Sequence, residues 1–252
     1  MATLVVEHGP HAQLRIAEGE AEVWIDPYQV PPESALSVIT WGEPERLVGV
    51  EQAISRGMAP RVVASREVRR WLETKGNHSG VSSPTRDQGL HIDTSTFRPL
   101  PYLAVQEGCR KVVSLITRPQ LALSRIKRRR ELPGGDPQVV FLTLPSGRRV
   151  IYLSVALHAR TPEVWLNKMI DACRGSDLVV AGVDYEEVPA FLSRMARFKA
   201  RKVILIQPHD TLREQLGLPI QVLGPVARDL SCRGTPTVVL EHGQRWEGVG
   251  QA

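Results

Sequence analysis

Twice along its 252 residues the chain passes from short paired strands into an alternation of strands and helices, and that repetition limits the folds open to it. In the first pass, Leu4 to Val6, Ala12 to Ile16 and Glu22 to Ile25 read as a meander with a turn at Glu18-Gly19-Glu20. A strand over Leu36 to Thr40 leads into a helix with Leu47, Val50 and Ile54 at helical spacing, closed by Arg56-Gly57. A strand over Arg61 to Ala64 precedes a second helix, with Ser65 as N-cap, an apolar stripe of Val68, Trp71 and Leu72, and Gly76 as its stop. Residues from Asn77 to Arg86 read as a polar loop. In the second pass, Val139 to Leu144 turns at Pro145-Ser146-Gly147 and returns as Arg149 to Leu153. Thr161 and Pro162 take the N-cap and first position of a helix. Strands over Asp177 to Val183 and Lys202 to Ile206 flank a further helix, and short elements from Ile220 to Leu240 finish the chain.

These two halves, about 1–105 and 138–240, joined by a segment over 106–137, predict one α/β domain, a four-layer αββα sandwich over 1–252. A content of 42% hydrophobic and 23% charged residues suits a chain that buries a substantial core. No apolar run reaches the length of a membrane span, and the first residues lack the regions of a signal peptide, so a cytoplasmic location is expected. Cys109, Cys173 and Cys232 are too far apart for a zinc ribbon and odd in number for a disulfide framework; they are expected to be buried thiols.

Between the first strand-to-helix pair stands Trp41-Gly42-Glu43-Pro44-Glu45-Arg46, preceded by His11 near the opening hairpin and by Asp26-Pro27 after a strand. With these landmarks the chain resembles the metallo-β-lactamase superfamily from His11 to about Leu223. The resemblance implies zinc between the sheets, held by an H-x-H-x-D-H turn, a central His, a bridging Asp and a late His, and activating a water. In this sequence Trp41 takes the place of the first His, Glu43 of the second, Glu45 of the Asp and Arg46 of the third His. Ala156 stands near the bridging Asp, no His lies around Tyr102-Leu103-Ala104, and His209 is the ligand position that matches.

A single imidazole does not hold zinc, and a guanidinium at a ligand position repels a dication. Arg46 is therefore expected to pair with Glu43, Glu45 or Asp26 in the space a metal would occupy. The expected function is that of a pseudoenzyme with no resident cofactor, binding a small molecule or a protein. The expected ligand pocket holds Asp26, Trp41, Glu43, Glu45, Arg46, His158, Asp184, His209 and Asp210. The alternative is a hydrolase, either with a divalent ion on Asp26, Glu43, Glu45 and His209 or metal-free with Glu45 and His209 as the catalytic acid and base. No Gly-x-Ser-x-Gly elbow and no phosphate-binding glycine loop is present.

The net charge of +5 is a local matter. Eight of the 32 basic residues lie between Arg110 and Arg130 with no acidic residue among them, leaving 24 basic against 27 acidic elsewhere. Arg125, Lys127, Arg128, Arg129 and Arg130 are the candidate anion-binding residues, interleaved with Val112, Leu115, Leu121 and Ile126. Such a segment serves as a flap over the protein's own cleft or as a docking site for an anionic membrane surface or nucleic acid.

Overall fold

The computed structural model describes residues 2–96, 120, 127–128, 131–134, 136–154, 156–157, 161–183, 187–208, 213–214 and 219–248. Its first strands, β1 (Leu4–His8), β2 (Leu14–Glu18) and β3 (Ala21–Ile25), run antiparallel, as the meander predicts. From β3 onward the sheet becomes parallel, through β4 (Leu36–Val38), β5 (Arg61–Val63) and β6 (Gly80–Val81). The crossovers are α1 (Pro44–Ser55) and α2 (Arg66–Thr74). The second sheet repeats this plan. Strands β7 (Thr85–Asp87), β8 (Leu90–Thr96), β9 (Gln138–Thr143) and β10 (Arg149–Tyr152) are antiparallel. Beyond β10 the sheet is parallel through β11 (Leu178–Gly182), β12 (Val203–Ile206) and β13 (Thr237–Val239). Helices α3 (Glu163–Cys173), α4 (Val188–Met195) and α5 (Leu223–Cys232) pack on it. A last strand, β14 (Arg245–Gly248), returns to pair with β1, so each sheet has seven strands among the described residues.

Side-chain alternation makes the four layers. Along β9 to β12, Val140, Val150, Val180 and Ile204 point into the space between the sheets and meet Val6, Ile16, Val23 and Val38 from the other sheet. Their neighbours Val139, Ile151, Val179 and Val203 point outward onto Leu166, Met169 and Phe191 of the helices. Strands β11 and β12 are therefore buried on both faces, which is why they read as unbroken apolar runs. On the other side Ile39 and Val62 pack against Leu47 and Val50 of α1 and Val68 and Leu72 of α2. The α/β four-layer sandwich expected from the sequence is the observed architecture.

Several local readings change. The stretch from Asn77 to Arg86 contains β6 and begins β7, which are too short for a period-two signal to show. β7 and β8 belong to the second sheet although they lie among the first 105 residues, and β14 lies past Leu240, where the short elements were expected to end. Pro162, not Thr161, is the N-cap of α3; the Thr161 hydroxyl instead donates to the Ala156 carbonyl at 2.6 Å. Cys173 is a buried thiol pushed up to about 12 by burial, but Cys232 is exposed, at the end of α5. Ser65 caps α2 as read, accepting from the Val68 amide at 3.4 Å. No helix among the described residues is long and apolar enough to cross a membrane.

Candidate functional site

Each sheet switches from antiparallel to parallel at one strand, β3 in the first and β10 in the second. Asp26 directly follows β3, and Ser154 lies just past β10. Both adopt left-handed backbone conformations, with φ of 48° and 49°, which a non-glycine residue accepts only where its surroundings hold it.

What brings them together is Arg46, in the first turn of α1. Its Nη1 donates to Asp26 Oδ2 and to Thr40 Oγ1 (2.7 Å), and its Nη2 donates to Ser154 Oγ at 3.2 Å, 108 residues away in sequence. Nε lies 4.0 Å from Glu43. Thr40 holds the carboxylate from the other side: its amide donates to Asp26 Oδ1 at 2.7 Å and its hydroxyl to Oδ2 at 2.6 Å. Arg46 and Asp26 are each 1% exposed, so the ion pair is fully removed from water. Burial works against the Arg46 charge, but the Asp26 carboxylate beside it prevails and holds the guanidinium well above its ordinary value. Burial pushes the Asp26 carboxyl up against the pull of Arg46 and Thr40. The same burial pushes the phenol of Tyr152, on β10, up to about 12, with Arg46 acting in the opposite sense.

The local sequence explains how a buried arginine reaches this point. Pro44 starts α1 with its φ already set for a helix. One turn further on, the Gly49 amide donates to the Pro27 carbonyl at 2.9 Å, and a Cβ there would lie 2.2 Å from the Gln29 carbonyl oxygen. Only glycine lets α1 come this close to the loop after Asp26, and the close approach lays Arg46 on the carboxylate. Gly42 makes an equally tight contact, where a Cβ would meet the Gly134 carbonyl oxygen at 2.3 Å.

Of the residues singled out in the sequence, the structure joins Asp26, Glu43 and Arg46 in one network. Glu45 is half-buried in the first turn of α1, where the helix N-terminus favours a carboxylate, and Trp41 is half-buried beside the Gly42 contact. His158, Asp184, His209 and Asp210 lie outside the described residues, as do Arg125, Arg129 and Arg130. Sequence reasoning passed over Thr40, Tyr152 and Ser154. A polar residue at the end of a buried strand is the one signal that marks Thr40; for Ser154 there is none, because its role depends on closure of the sandwich.

The donor set around Arg46 does not fit a divalent metal. Two hydroxyls and two carboxylates surround a permanent cation, and a dication in their midst would face its repulsion. Among the described residues no group of three or more His, Cys, Asp or Glu side chains could hold a metal ion.

The described end of the basic run and the residues after it lie against α1 and α2. The Arg128 guanidinium pairs with Glu51 of α1, the Trp71 indole of α2 donates to the Glu131 carbonyl at 3.2 Å, and Leu132 packs against the apolar cluster beneath α1 and α2. Lys127 is exposed. Beside this segment lies a cavity of about 720 Å³, lined by residues of the α2 N-terminus, the ends of β8 and β9 and the start of α3. It adjoins the Arg46 network through the backbone, since the Gln138 amide in its wall donates to the Thr40 carbonyl at 2.8 Å.

No family model matches the sequence, and no curated protein sequence matches it. Solved structures do. The chain is similar to Igni18, a metallo hydrolase from the hyperthermophilic archaeon Ignicoccus hospitalis, with a TM-score of 0.65 and 13% identity over 99% of this chain and 100% of that chain. It is also similar to YhfI, a metallo-β-lactamase fold protein from Bacillus subtilis, with a TM-score of 0.61 and 9% identity over 97% of this chain and 99% of that chain. At these identities the likeness is one of fold: this chain has the metallo-β-lactamase fold.

Proposed function

We propose that this protein is a pseudoenzyme on a hydrolase-like fold, which has given up the zinc centre and acts by binding a small molecule. The observation that carries this reading is Arg46: a buried guanidinium, tied to Asp26, Thr40 and Ser154, fills the place where the two switch strands end. It supplies the fixed positive charge that a metal would bring to the fold, but it has no open coordination position and generates no hydroxide. The cavity beside Gln138, within the range of small-ligand pockets, is where binding takes place. The basic run with Lys127 and Arg128 is read as the flap of that cavity, with Arg128 anchored on Glu51.

Elemental analysis of the purified protein, followed by titration with Zn²⁺ and Mn²⁺, tests the reading. The expected result is substoichiometric metal, with no saturable binding and no hydrolysis of phosphoester, lactone or amide substrates. Stoichiometric bound metal that disappears in a Glu43→Gln or His209→Ala variant would sink the proposal in favour of a hydrolase with a rearranged Glu and His site.

A further inference from the structure

The first sheet ends at β14, which among the described residues has a paired strand on one side only, β1. The ladder determines which of its residues turn their backbone outward. The His8 amide donates to the Gln244 carbonyl at 3.0 Å, and on the other side of β1 the Gly9 amide donates to the Gln13 carbonyl at 2.9 Å. Pairing alternates residue by residue in an antiparallel ladder, so Trp246 and Gly248 bond to β1, and the N–H and C=O groups of Arg245 and Glu247 face the open edge. The Trp246 ring folds back along its own strand onto Gly248, where a Cβ would meet it at 2.4 Å. The other sheet edges are shorter strands: β7 and β13 have three residues each, and β6 has two.

On the outer face of this sheet the side chains form a row of alternating charge. Glu22 of β3 pairs with Arg15 of β2 at 2.7 Å, and Arg15 with Glu7 of β1 at 3.1 Å. Arg245 of β14 continues the row, 3.6 Å from Glu7 and 2.8 Å from Glu247. The row stops at the sheet edge, where Arg245 and Glu247 keep 52% and 54% of their side chains exposed. Charges on an edge strand ordinarily keep other strands away. Here they have opposite signs and flank Trp246, so a two-fold axis through Trp246 sets each Arg245 opposite the partner's Glu247. These are the residues whose backbone groups face outward, so in one register each such pair exchanges both of its backbone hydrogen bonds and matches its charges. We propose that this edge docks a second copy of the chain, β14 pairing antiparallel with the partner's β14 so that the first sheets of the two copies run on as one. One short strand from each copy makes a narrow contact, which places the dimer among weak, reversible associations in the micromolar range.

Sedimentation of the full-length protein over a concentration series from about 1 μM to about 1 mM tests the proposal. The parent is expected to pass from monomer to dimer along the series, and to return toward monomer as salt is raised. Arg245→Glu and Glu247→Arg each set like charges opposite one another and should each weaken the dimer about a hundredfold or more. Mixed one to one, the same two variants are complementary again and should pair with each other, a recovery that variants failing to fold would not give. Glu247→Pro removes an outward N–H that no strand of the chain uses, so it should abolish association and leave the circular dichroism spectrum unchanged. A parent that stays monomeric throughout the series, a dimer indifferent to Glu247→Pro, or charge variants that remain monomeric when mixed would each overturn the proposal.

Discussion

The two ends of the sandwich each tie the sheets together through a buried charged side chain, and they do it differently. At the hairpin end, Glu18 at the close of β2 accepts from the Ser146 amide and hydroxyl, at 2.9 and 2.8 Å, and lies 3.4 Å from Arg148 Nε. Ser146 and Arg148 lie in the connection between β9 and β10, and Arg148 keeps 17% of its side chain exposed. At the switch end, Arg46 and Asp26 keep at most 1%, and the connection to the second sheet runs through two residues in left-handed conformations. The hairpin end is a clip between turns. The switch end is an ion pair whose desolvation must be offset by good geometry and by Thr40, Ser154 and Tyr152 around it.

Cutting one partner at the switch end should have the largest effect. Asp26→Ala leaves a guanidinium buried without its carboxylate, and denaturant unfolding should show a loss of about 3–5 kcal/mol. Pairing Asp26→Leu with Arg46→Met should recover most of that loss; a double variant as unstable as the single one would mean that the network does more than balance charge. Next comes the phenol. A free tyrosine titrates near pH 10, whereas Tyr152 in the folded protein is pushed up to about 12. Its contribution is therefore fully present below about pH 10 and lost as pH rises toward 12, on the order of 3 kcal/mol across that window. Tyr152→Phe should flatten this alkaline loss in melts taken between pH 9 and 12, and an unchanged slope would assign it to other groups.

Gly49→Ala should cost about 1–3 kcal/mol, because α1 must back away from the Gln29 carbonyl and carry Arg46 with it. At the hairpin end, Glu18→Gln keeps an acceptor for Ser146 and should cost only about 1 kcal/mol. A cost there equal to that of Asp26→Ala would erase the distinction between the two ends.

The layers were legible in the sequence because a sheet packed on both sides writes its pattern into consecutive residues. Val139 and Val140, or Val179 and Val180, face opposite layers and are both apolar. The edge strands were not legible. β6 has two residues and β14 follows a turn, and strands so short exist because a neighbour offers backbone partners. Within the site, Arg46 declared itself as a cation in an unsuitable place, and Asp26 as a carboxylate at a strand end. Of the three acids considered for Arg46, Asp26 is the one in contact and Glu43 lies at the edge of range. That choice follows from the Gly49 contact, which sets how far α1 slides along the loop after β3.

The sequence by itself determined that this chain stacks two sheets between helices and that the turn after β4 carries an arginine and two glutamates. Only the tertiary structure decided that this arginine is buried, that Ser154 from the other sheet receives it, and that a cavity lined by both signs of charge opens beside Gln138. The physical reason is range. Periodicity is a property of neighbours along the chain, whereas the desolvation of Arg46 arises only when it and Ser154, 108 residues apart, meet in one buried volume.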